Sequence, residues 1–232
     1  MGRMAIKAVL VDVGGPILDE DREYAAWDSF LVELLAAEGI QISPGELARL
    51  VATATRSCEH NPRLAVLWKL VRPDVARFRR LKEALRAFQR RHLAEEYIPR
   101  LRPGAKEVLA ALAGGYTLAL AGNQPTRVVD YLEEFGVLQY FQWKKVSEEM
   151  GVAKPDPLFF RMILDGLGLA PSEAVMVGDR LDHDILPARL LGMRAVRVLA
   201  GPYAEQVPCS PLHCPDRTIR SLEELPPALA AM

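Results

Sequence analysis

The sequence has little cysteine and no long apolar run. Its 232 residues include three cysteines. Because this number is odd and no signal peptide is recognisable at the N-terminus, we do not expect a disulfide framework. The apolar run near the N-terminus is short and ends at Asp12. No uninterrupted apolar segment approaches the roughly 20 residues of a membrane span. These absences predict a cytoplasmic protein.

An excess of charge of either sign is also missing. The formal net charge is -1, and 25% of the residues are charged while 50% are hydrophobic. A nearly neutral chain has no general attraction for nucleic acid or for a membrane surface, so we expect neither as a partner. No internal repeat and no low-complexity tract is present. A chain of this length can bury a sizeable core, either as one domain or as a domain with an inserted module.

The segment from Ala8 to Val11 is the first clear structural signal. It is a short apolar run, rich in β-branched residues, which predicts a buried strand. The strand leads directly into Asp12, which is followed by Gly14, Gly15 and Pro16. In open α/β sheets ligands bind outside the carboxyl ends of the strands, so Asp12 is placed where an active site would lie. The alternative is that Asp12 only caps the turn.

Residues 21–97 have an almost continuously helical pattern. Apolar residues at helical spacing predict a first helix that stops at Gly39. A second helix begins at the capping sequence Ser43-Pro44-Gly45-Glu46. Two more are predicted for the segments from Leu64 to Val71 and from Val75 to Phe88. Four amphipathic helices in sequence predict a small helical bundle.

From Pro103 onward, predicted strands and helices alternate. The strands are residues 116–121, 174–177, 195–198 and 218–219, with a further short segment at 143–146; the helices are 105–112, 126–135, 158–167 and 185–191, with a last helix near Leu222. Alternation at this spacing is typical of βαβ units and of a parallel sheet with helices on both faces. The predicted fold class is therefore α/β, with a Rossmann-like core domain of residues 1–18 and 100–232. Residues 19–99 are predicted to form an inserted, all-helical cap domain that lies over the site like a lid.

Several predicted strand ends carry residues suited to chemistry. Asp12, Asn123 and Asp179 each follow a strand, Lys154 lies in the loop sequence AKPDP, and Asp184 is on the turn into the next helix. Carboxylates gathered at one sheet edge repel one another unless a cation neutralises them, and oxygen ligands of this kind suit Mg²⁺. A carboxylate, a divalent cation and a lysine together make a site for phosphoryl transfer, in which Asp12 attacks phosphorus. The alternative is a set of helix caps and solvated charges.

The order of these residues resembles the four motifs of the haloacid dehalogenase superfamily of hydrolases, in the group with a helical cap inserted after the first motif. The first motif corresponds to Asp12-Val13-Gly14-Gly15-Pro16, the second to the strand from Leu118 to Gly122 with Asn123, the third to Lys154, and the fourth to Gly178-Asp179 through Asp184. Each motif alone is a weak signal. In this order, at strand ends or in adjoining loops, they are specific, and the resemblance covers nearly the whole chain.

The resemblance implies a role for each matched residue. Asp12 would be both the nucleophile and a metal ligand, and the main-chain carbonyl of Gly14 would be a second ligand. Asp179 would be a third ligand, and Asp184 would hold the metal or its waters. Lys154 would bridge the nucleophile and the phosphate. The implied cofactor is Mg²⁺, and the implied substrate is a small phosphorylated metabolite.

Two positions depart from the family pattern. The family's phosphatases usually carry an acid two residues after the nucleophile, and this chain has Gly14 there. Loss of such a general acid–base group removes a factor of about 10²–10⁴ in rate. The hydroxyl that usually binds phosphate is absent as well, because Gly122 takes its position. We expect the backbone N–H groups of Gly122 and Asn123 to bind the substrate phosphate instead.

These residues predict a Mg²⁺-dependent phosphomonoesterase that works through an aspartyl-phosphate, as a monomer or a homodimer. Gly14 and Gly122 leave open a second function, that of a feeble or non-catalytic relative that binds a phosphorylated ligand or a protein. A third possible function is that of a 2-haloacid dehalogenase, since the family's dehalogenases also lack the acid two residues after the nucleophile. That chemistry uses no metal, and the family's dehalogenases replace the fourth-motif Gly-Asp with polar uncharged residues, so Asp179 counts against it.

Overall fold

Six short segments, most of them apolar, pair into one parallel sheet. The computed structural model describes residues 5–57 and 59–232 of the chain. Its strands are β1 (Ala8–Val11), β2 (Thr117–Leu120), β3 (Phe141–Trp143), β4 (Ala174–Gly178), β5 (Arg194–Val198) and β6 (Arg217–Ile219). They are ordered β3-β2-β1-β4-β5-β6, and every neighbouring pair is parallel. The predicted Rossmann-like parallel sheet is confirmed.

The central strand, β1, leads to Asp12. It is hydrogen-bonded to β2 on one side and to β4 on the other, so the order of the strands along the chain reverses at β1. Val11, at the end of β1, is in register with Leu120 of β2 and with Val177 of β4. Residues that follow these three strands therefore meet at one edge of the sheet, where open α/β folds bind their ligands.

The stretch between β1 and β2 begins with the predicted helices. They are α1 (Asp21–Ala37), α2 (Pro44–Arg56), α3 (Pro62–Val71) and α4 (Val75–Glu95). The predicted capping box begins α2: the N–H of Glu46 donates to Ser43 Oγ at 3.2 Å, and the N–H of Ser43 donates to the Glu46 carboxylate at 3.4 Å. An apolar cluster joins all of these helices and contains Leu31, Leu35, Leu47, Leu67 and Leu81.

Helices flank the sheet on both faces. In the part of the chain that the structure describes they are α5 (Ala105–Ala113), α6 (Arg127–Glu134), α7 (Ser147–Met150), α8 (Pro157–Leu167), α9 (Leu186–Leu190) and α10 (Leu225–Ala230). Successive side chains of a strand point to opposite faces. Val9 and Val11 accordingly join an apolar cluster with residues of α5 and α6, whereas Ala8 and Leu10 join another with residues of α8. Both faces of β1 are thus buried.

Two segments of the core differ from the prediction. The pattern predicts a loop over residues 147–157, but α7 begins there, supported by a hydrogen bond from the N–H of Val146 to the Glu149 carboxylate at 3.3 Å. A π-helix, Leu181–Ile185, precedes α9. In it the N–H of Ile185 reaches the carbonyl oxygen of Arg180, five residues back, at 3.2 Å. Such π-helical turns are frequent at functional sites, and this one contains Asp184.

Backbone contacts divide the chain into two units. One consists of the residues up to Asp19 with Pro99–Ala204 and Pro208–Met232, and the other is Glu20–Ile98 with Glu205–Val207. Within the described residues, no helix has the length and the apolar character needed to cross a membrane.

The structure describes two of the cysteines. Cys214 is free and exposed, whereas Cys209 is disulfide-bonded. An odd cysteine count excludes a fully paired set but does not exclude a single bond. Cys58 lies outside the described residues.

Candidate active site

Three carboxylates lie together at the carboxyl edge of the sheet. Asp12 follows β1, Asp179 follows β4, and Asp184 comes from the π-helix that begins two residues after Asp179. One oxygen from each carboxylate lies within 4.8 Å of the others. The exposed fractions of these residues are 7%, 5% and 0%, respectively. Because β1 and β4 are neighbours in register, the sheet itself brings Asp12 and Asp179 together.

Lys154 brings a positive charge into this cluster. Its Nζ lies 2.9 Å from Asp12 Oδ1 and 2.5 Å from Asp184 Oδ1, and the residue is buried. Burial alone would lower the pKa of Lys154. The negative charges of Asp12 and Asp184, and the hydrogen bonds to them, outweigh burial and raise that pKa above its ordinary value. Lys154 is therefore protonated at neutral pH.

Asp184 is held through both of its carboxylate oxygens. Oδ1 accepts a hydrogen bond from Lys154, and Oδ2 accepts one from the N–H of Arg180 at 2.9 Å. A Cβ atom on Gly178 would lie 2.3 Å from the carboxyl carbon of Asp184. Glycine at position 178 thus provides the space in which this carboxylate sits, and its two bonds fix the orientation.

Asp179 has no comparable support. Within residues 5–57 and 59–232, no group donates a hydrogen bond to its carboxylate. Burial, and then the charges of Asp12 and Asp184, raise the pKa of Asp179 well above its ordinary value, and Arg180 and Lys154 offset only part of this effect. A buried carboxylate without a donor is costly unless it is paired or coordinates a cation.

The cluster fits a divalent cation. Lys154 contacts two of the three carboxylates, and Arg180 and Lys154 offset only part of the charge at Asp179, so negative charge is in excess. Carboxylate oxygens are the ligands that Mg²⁺ takes in phosphoryl-transfer sites, usually together with water and substrate phosphate. The carboxylate of Asp179 is the group that such an ion would satisfy. Gly14 is buried in the turn that follows Asp12, and its carbonyl is the main-chain ligand that the resemblance implies.

Asn123 is bonded to the backbone of Lys154. Asn123 Nδ2 donates to the Lys154 carbonyl oxygen at 2.8 Å, and the N–H of Lys154 donates to Asn123 Oδ1 at 2.8 Å. Both polar atoms of the side chain are used, so the Asn123 amide orients Lys154. In contrast, the N–H groups of Gly122 and Asn123 donate to no group in the described part of the chain. Successive N–H groups of this kind can bind an anion.

Val13 fills the space beside Gly122. A Cβ atom on Gly122 would lie 2.7 Å from Val13 Cγ2 and 2.9 Å from Val13 Cβ. Val13 is fully buried and belongs to the core cluster beneath the sheet edge. A hydroxyl-bearing residue therefore does not fit at position 122 while Val13 keeps its place. The absence of a phosphate-binding hydroxyl at position 122 thus goes together with the packing of Val13, the residue next to the candidate nucleophile Asp12.

Two arginines that support the cluster are missed by the sequence pattern. Arg180 gives its N–H to Asp184 and pairs with Asp182 at 2.7 Å. Arg102 donates from Nε to the carbonyl oxygen of Gly15 at 2.6 Å. The position of Arg180 directly after Asp179 is a usable signal. The contact of Arg102 with Gly15 has no such sequence signal, because the two residues are 87 positions apart along the chain.

Comparison with known proteins identifies the family. The model for haloacid dehalogenase-like hydrolases matches residues 6–192, which is most of the chain. The chain therefore belongs to the haloacid dehalogenase-like hydrolase family.

Its relatives include several phosphatases. The chain is 41% identical over 139 residues to the phosphoserine phosphatase of Thermus thermophilus, covering 56% of each chain. It is 38% identical over 112 residues to the glyceraldehyde 3-phosphate phosphatase of Methanopyrus kandleri, covering 48% of this chain and 46% of that one. The matched part is thus about half the length of these curated relatives.

A solved structure supports the fold. The crystal structure of a predicted phosphoglycolate phosphatase from Haemophilus somnus matches with a TM-score of 0.68, covering 98% of this chain and 99% of that chain. The two sequences are 23% identical, so this likeness concerns the fold alone.

Replacing Asp179 by Asn is expected to stabilise the metal-free protein. The change removes one of three clustered negative charges and keeps the size of the side chain. Because folding raises the pKa of Asp179, the wild type loses stability as the pH rises from the ordinary aspartate pKa, about 4, to the raised value. At pH 7 in EDTA we expect the Tm of D179N to exceed the wild-type Tm by about 2–4 °C, the shift that 1 kcal/mol gives in a chain of this size. The difference should shrink towards pH 4.

The matched control is D130N, at an exposed position of α6. An exposed substitution of this kind should change Tm by no more than about 1–2 °C. A D179N variant that melts below the wild type in EDTA would contradict the view that the cluster carries uncompensated charge.

Introducing a hydroxyl at position 122 is expected to strain the core. We expect G122S to lose about 1–3 kcal/mol of unfolding free energy through overpacking against Val13. The double variant V13A/G122S should lose less than the sum of its single variants, with a coupling of about 0.5–3 kcal/mol. Denaturant titration of the wild type and the three variants measures this coupling. The control G115S has open space around its Cβ and should be neutral; strictly additive losses at 13 and 122 would disprove the steric link.

Proposed function

We propose that this chain is a Mg²⁺-dependent phosphomonoesterase that acts on a small phosphorylated metabolite through an aspartyl-phosphate on Asp12. The supporting observation is the cluster itself, in which a buried Asp12 contacts Lys154 and lies beside Asp179 and Asp184. A nucleophile, a cation site and a lysine are the parts that phosphoryl transfer needs. A purely structural ion-pair network would give Asp179 a donor, and the described residues provide none.

Asp12 supplies the nucleophile. One of its carboxylate oxygens attacks phosphorus, and the new O–P bond forms as the P–O bond to the substrate alcohol breaks with its electron pair leaving on oxygen. Water then attacks the phosphorus of the aspartyl-phosphate, which releases inorganic phosphate and restores the carboxylate. Lys154, at 2.9 Å from Asp12 Oδ1, orients the nucleophile and offsets charge on the phosphoryl oxygens.

Backbone groups hold the phosphoryl group, and a bound cation would supply positive charge beside it. The N–H groups of Gly122 and Asn123 donate to phosphoryl oxygens in place of the missing hydroxyl. Asp12, Asp179 and the carbonyl of Gly14 would hold Mg²⁺, with Asp184 binding the ion or its waters. When bound, the ion supplies positive charge beside the phosphoryl oxygens.

Gly14 has no side chain that can protonate the leaving alcohol. We infer that this proton comes from water, so the rate depends strongly on how stable the departing alkoxide is. Aryl phosphates, whose leaving groups are weak bases, should be hydrolysed faster than alkyl phosphates by about 10²–10⁴, the usual contribution of a general acid. The activity on alkyl phosphates is correspondingly weak.

The relatives support the proposed substrate class, and the proposed cap would select within it. The matched curated relatives are phosphatases for phosphoserine and for glyceraldehyde 3-phosphate, both small phosphorylated metabolites. The core residues named above deal only with the phosphoryl group. We propose that residues 19–99 act as a cap domain that selects the remainder of the substrate.

A second candidate is a phosphoester-binding protein with no useful turnover. It is favoured by Gly14 and Gly122, since each position lacks a side chain that assists catalysis in the family's phosphatases. Dehalogenation of a 2-haloacid is a third candidate, and the buried Asp179 beside Asp12 counts against it because that chemistry needs no metal site. The experiment that tests the proposal also separates these alternatives.

The test compares the wild type, D12N and the control D130N on a panel of aryl and alkyl phosphates, with Mg²⁺ and with EDTA. We expect Mg²⁺-dependent release of phosphate by the wild type and by D130N, and a loss of about 10³-fold or more in D12N, because removing a nucleophile removes the covalent step. Turnover by D12N equal to the wild type would refute the assignment. Binding without turnover over the whole panel would favour the second candidate, and halide release in EDTA the third.

A further inference from the structure

Arg102 reaches the turn that follows the candidate nucleophile. Its Nε donates to the carbonyl oxygen of Gly15 at 2.6 Å, and its Nη2 lies 3.6 Å from Asp19 Oδ1. The side chain is mostly buried, with 22% of it exposed. A hydrogen bond from a guanidinium is stronger than one between neutral groups. Arg102 therefore ties both ends of the segment from Gly15 to Asp19.

The backbone of Arg102 is bound to the same segment. Its N–H donates to the carbonyl oxygen of Ile17 at 2.8 Å, and Leu101 forms an antiparallel bridge with Leu18. The N–H of Asp19 donates to the carbonyl oxygen of Arg100 at 2.9 Å. The main chain of Arg102 is thus fixed beside the segment that its guanidinium contacts.

Gly15 has almost no room to move. Its φ of +88° is a conformation that favours glycine. A Cβ atom built on it would lie 2.8 Å from the carboxyl carbon of Asp179. Gly15 thus lies between the guanidinium of Arg102 on its carbonyl side and the Asp179 carboxylate on its Cα side. A shift of Gly15 would change the distance between the Asp12–Gly14 segment and Asp179.

We propose that Arg102 is a positioning residue for the cation site: by holding Gly15, it keeps Asp12, the Gly14 carbonyl and Asp179 at a spacing that suits one divalent ion. The inference rests on the proposed Mg²⁺ site and names a part of it that lies outside the four motifs. Arg102 touches neither substrate nor metal, and it acts only through Gly15. Groups that hydrogen-bond directly to metal ligands commonly contribute about 10- to 100-fold to metal affinity, and Arg102 bonds to the residue that follows one proposed ligand, Gly14.

The test uses the full chain with Arg102 changed to Gln or to Lys, and with Arg100 changed to Gln as the control. Arg100 is exposed, and only its backbone joins the segment. Titration calorimetry of the metal-free proteins with Mg²⁺ should give a Kd for R102Q that is about 10- to 100-fold weaker than the wild-type Kd. R102K, with one donor group instead of a planar fork, should fall in between. R100Q should match the wild type.

Hydrogen exchange of the metal-free proteins provides an independent readout. The turn amides of Gly15, Ile17 and Leu18 are hydrogen-bonded to Leu18 and Val13 carbonyls. Loss of the charged bond to Gly15 should make these amides exchange about tenfold faster or more in R102Q, with peptides of α8 unchanged. If R102Q does not fold, the Mg²⁺ titration and the hydrogen exchange are both measured on R102K.

The outcomes separate this inference from the proposed function. Faster exchange in the turn with a weaker Mg²⁺ Kd supports the positioning role. An R102Q protein that folds, exchanges like the wild type and binds Mg²⁺ with the wild-type Kd overturns it, while the proposed function stands. A wild type that binds no Mg²⁺ overturns the proposed metal site and the positioning role that rests on it, whether or not exchange in the turn is faster in R102Q.

Discussion

The contact of Lys154 with Asp12 and Asp184 is the interaction on which the rest of the site depends. Two unit charges at about 4 Å attract by about 4 kcal/mol at the effective dielectric of partly buried sites, and like charges repel equally. Lys154 therefore offsets the repulsion between Asp12 and Asp184, the two carboxylates that it contacts. It is held at both ends, since Asn123 binds its backbone at 2.8 Å and the two carboxylates bind its Nζ. The remaining excess charge falls on Asp179, which is why we propose that the cluster binds a cation.

Space at this site is provided by glycines. Gly178 leaves room for the carboxylate of Asp184, and Gly15 leaves room for that of Asp179. At Gly122 the space is taken by Val13 instead. The side chain that would carry a hydroxyl at position 122 therefore does not fit beside Val13, and its phosphate-binding group is lost with it. In the proposed phosphatase, the chain keeps the charged parts of a phosphoryl-transfer site and lacks the side chains that assist it. Phosphate recognition would then depend on backbone N–H groups, which supply no proton to a leaving group.

Much of this arrangement follows from local sequence signals. Apolar runs that end in Asp12 and Asp179 predict the strands, and the Ser43–Glu46 pair predicts the start of α2, because these signals depend on residues close together in the chain. The contacts of Arg102 with Gly15 and of Val13 with Gly122 depend on tertiary packing and have no local signal. The π-helix before α9 was equally inaccessible, since a one-residue change of hydrogen-bond period leaves the apolar pattern almost intact. The two hydrogen bonds between Asn123 and Lys154 are another such case, in which two loops meet.

The role of Asp12 as phosphoryl acceptor is tested most directly by a crystal structure of the protein with Mg²⁺ and beryllofluoride, whose BeF₃⁻ group stands in for the phosphoryl group on an aspartate. We expect BeF₃⁻ on Asp12, fluorine atoms within hydrogen-bond distance of Lys154 Nζ and of the N–H groups of Gly122 and Asn123, and Mg²⁺ bound by Asp12 and Asp179. BeF₃⁻ absent from Asp12, or Mg²⁺ bound away from Asp179, would contradict it.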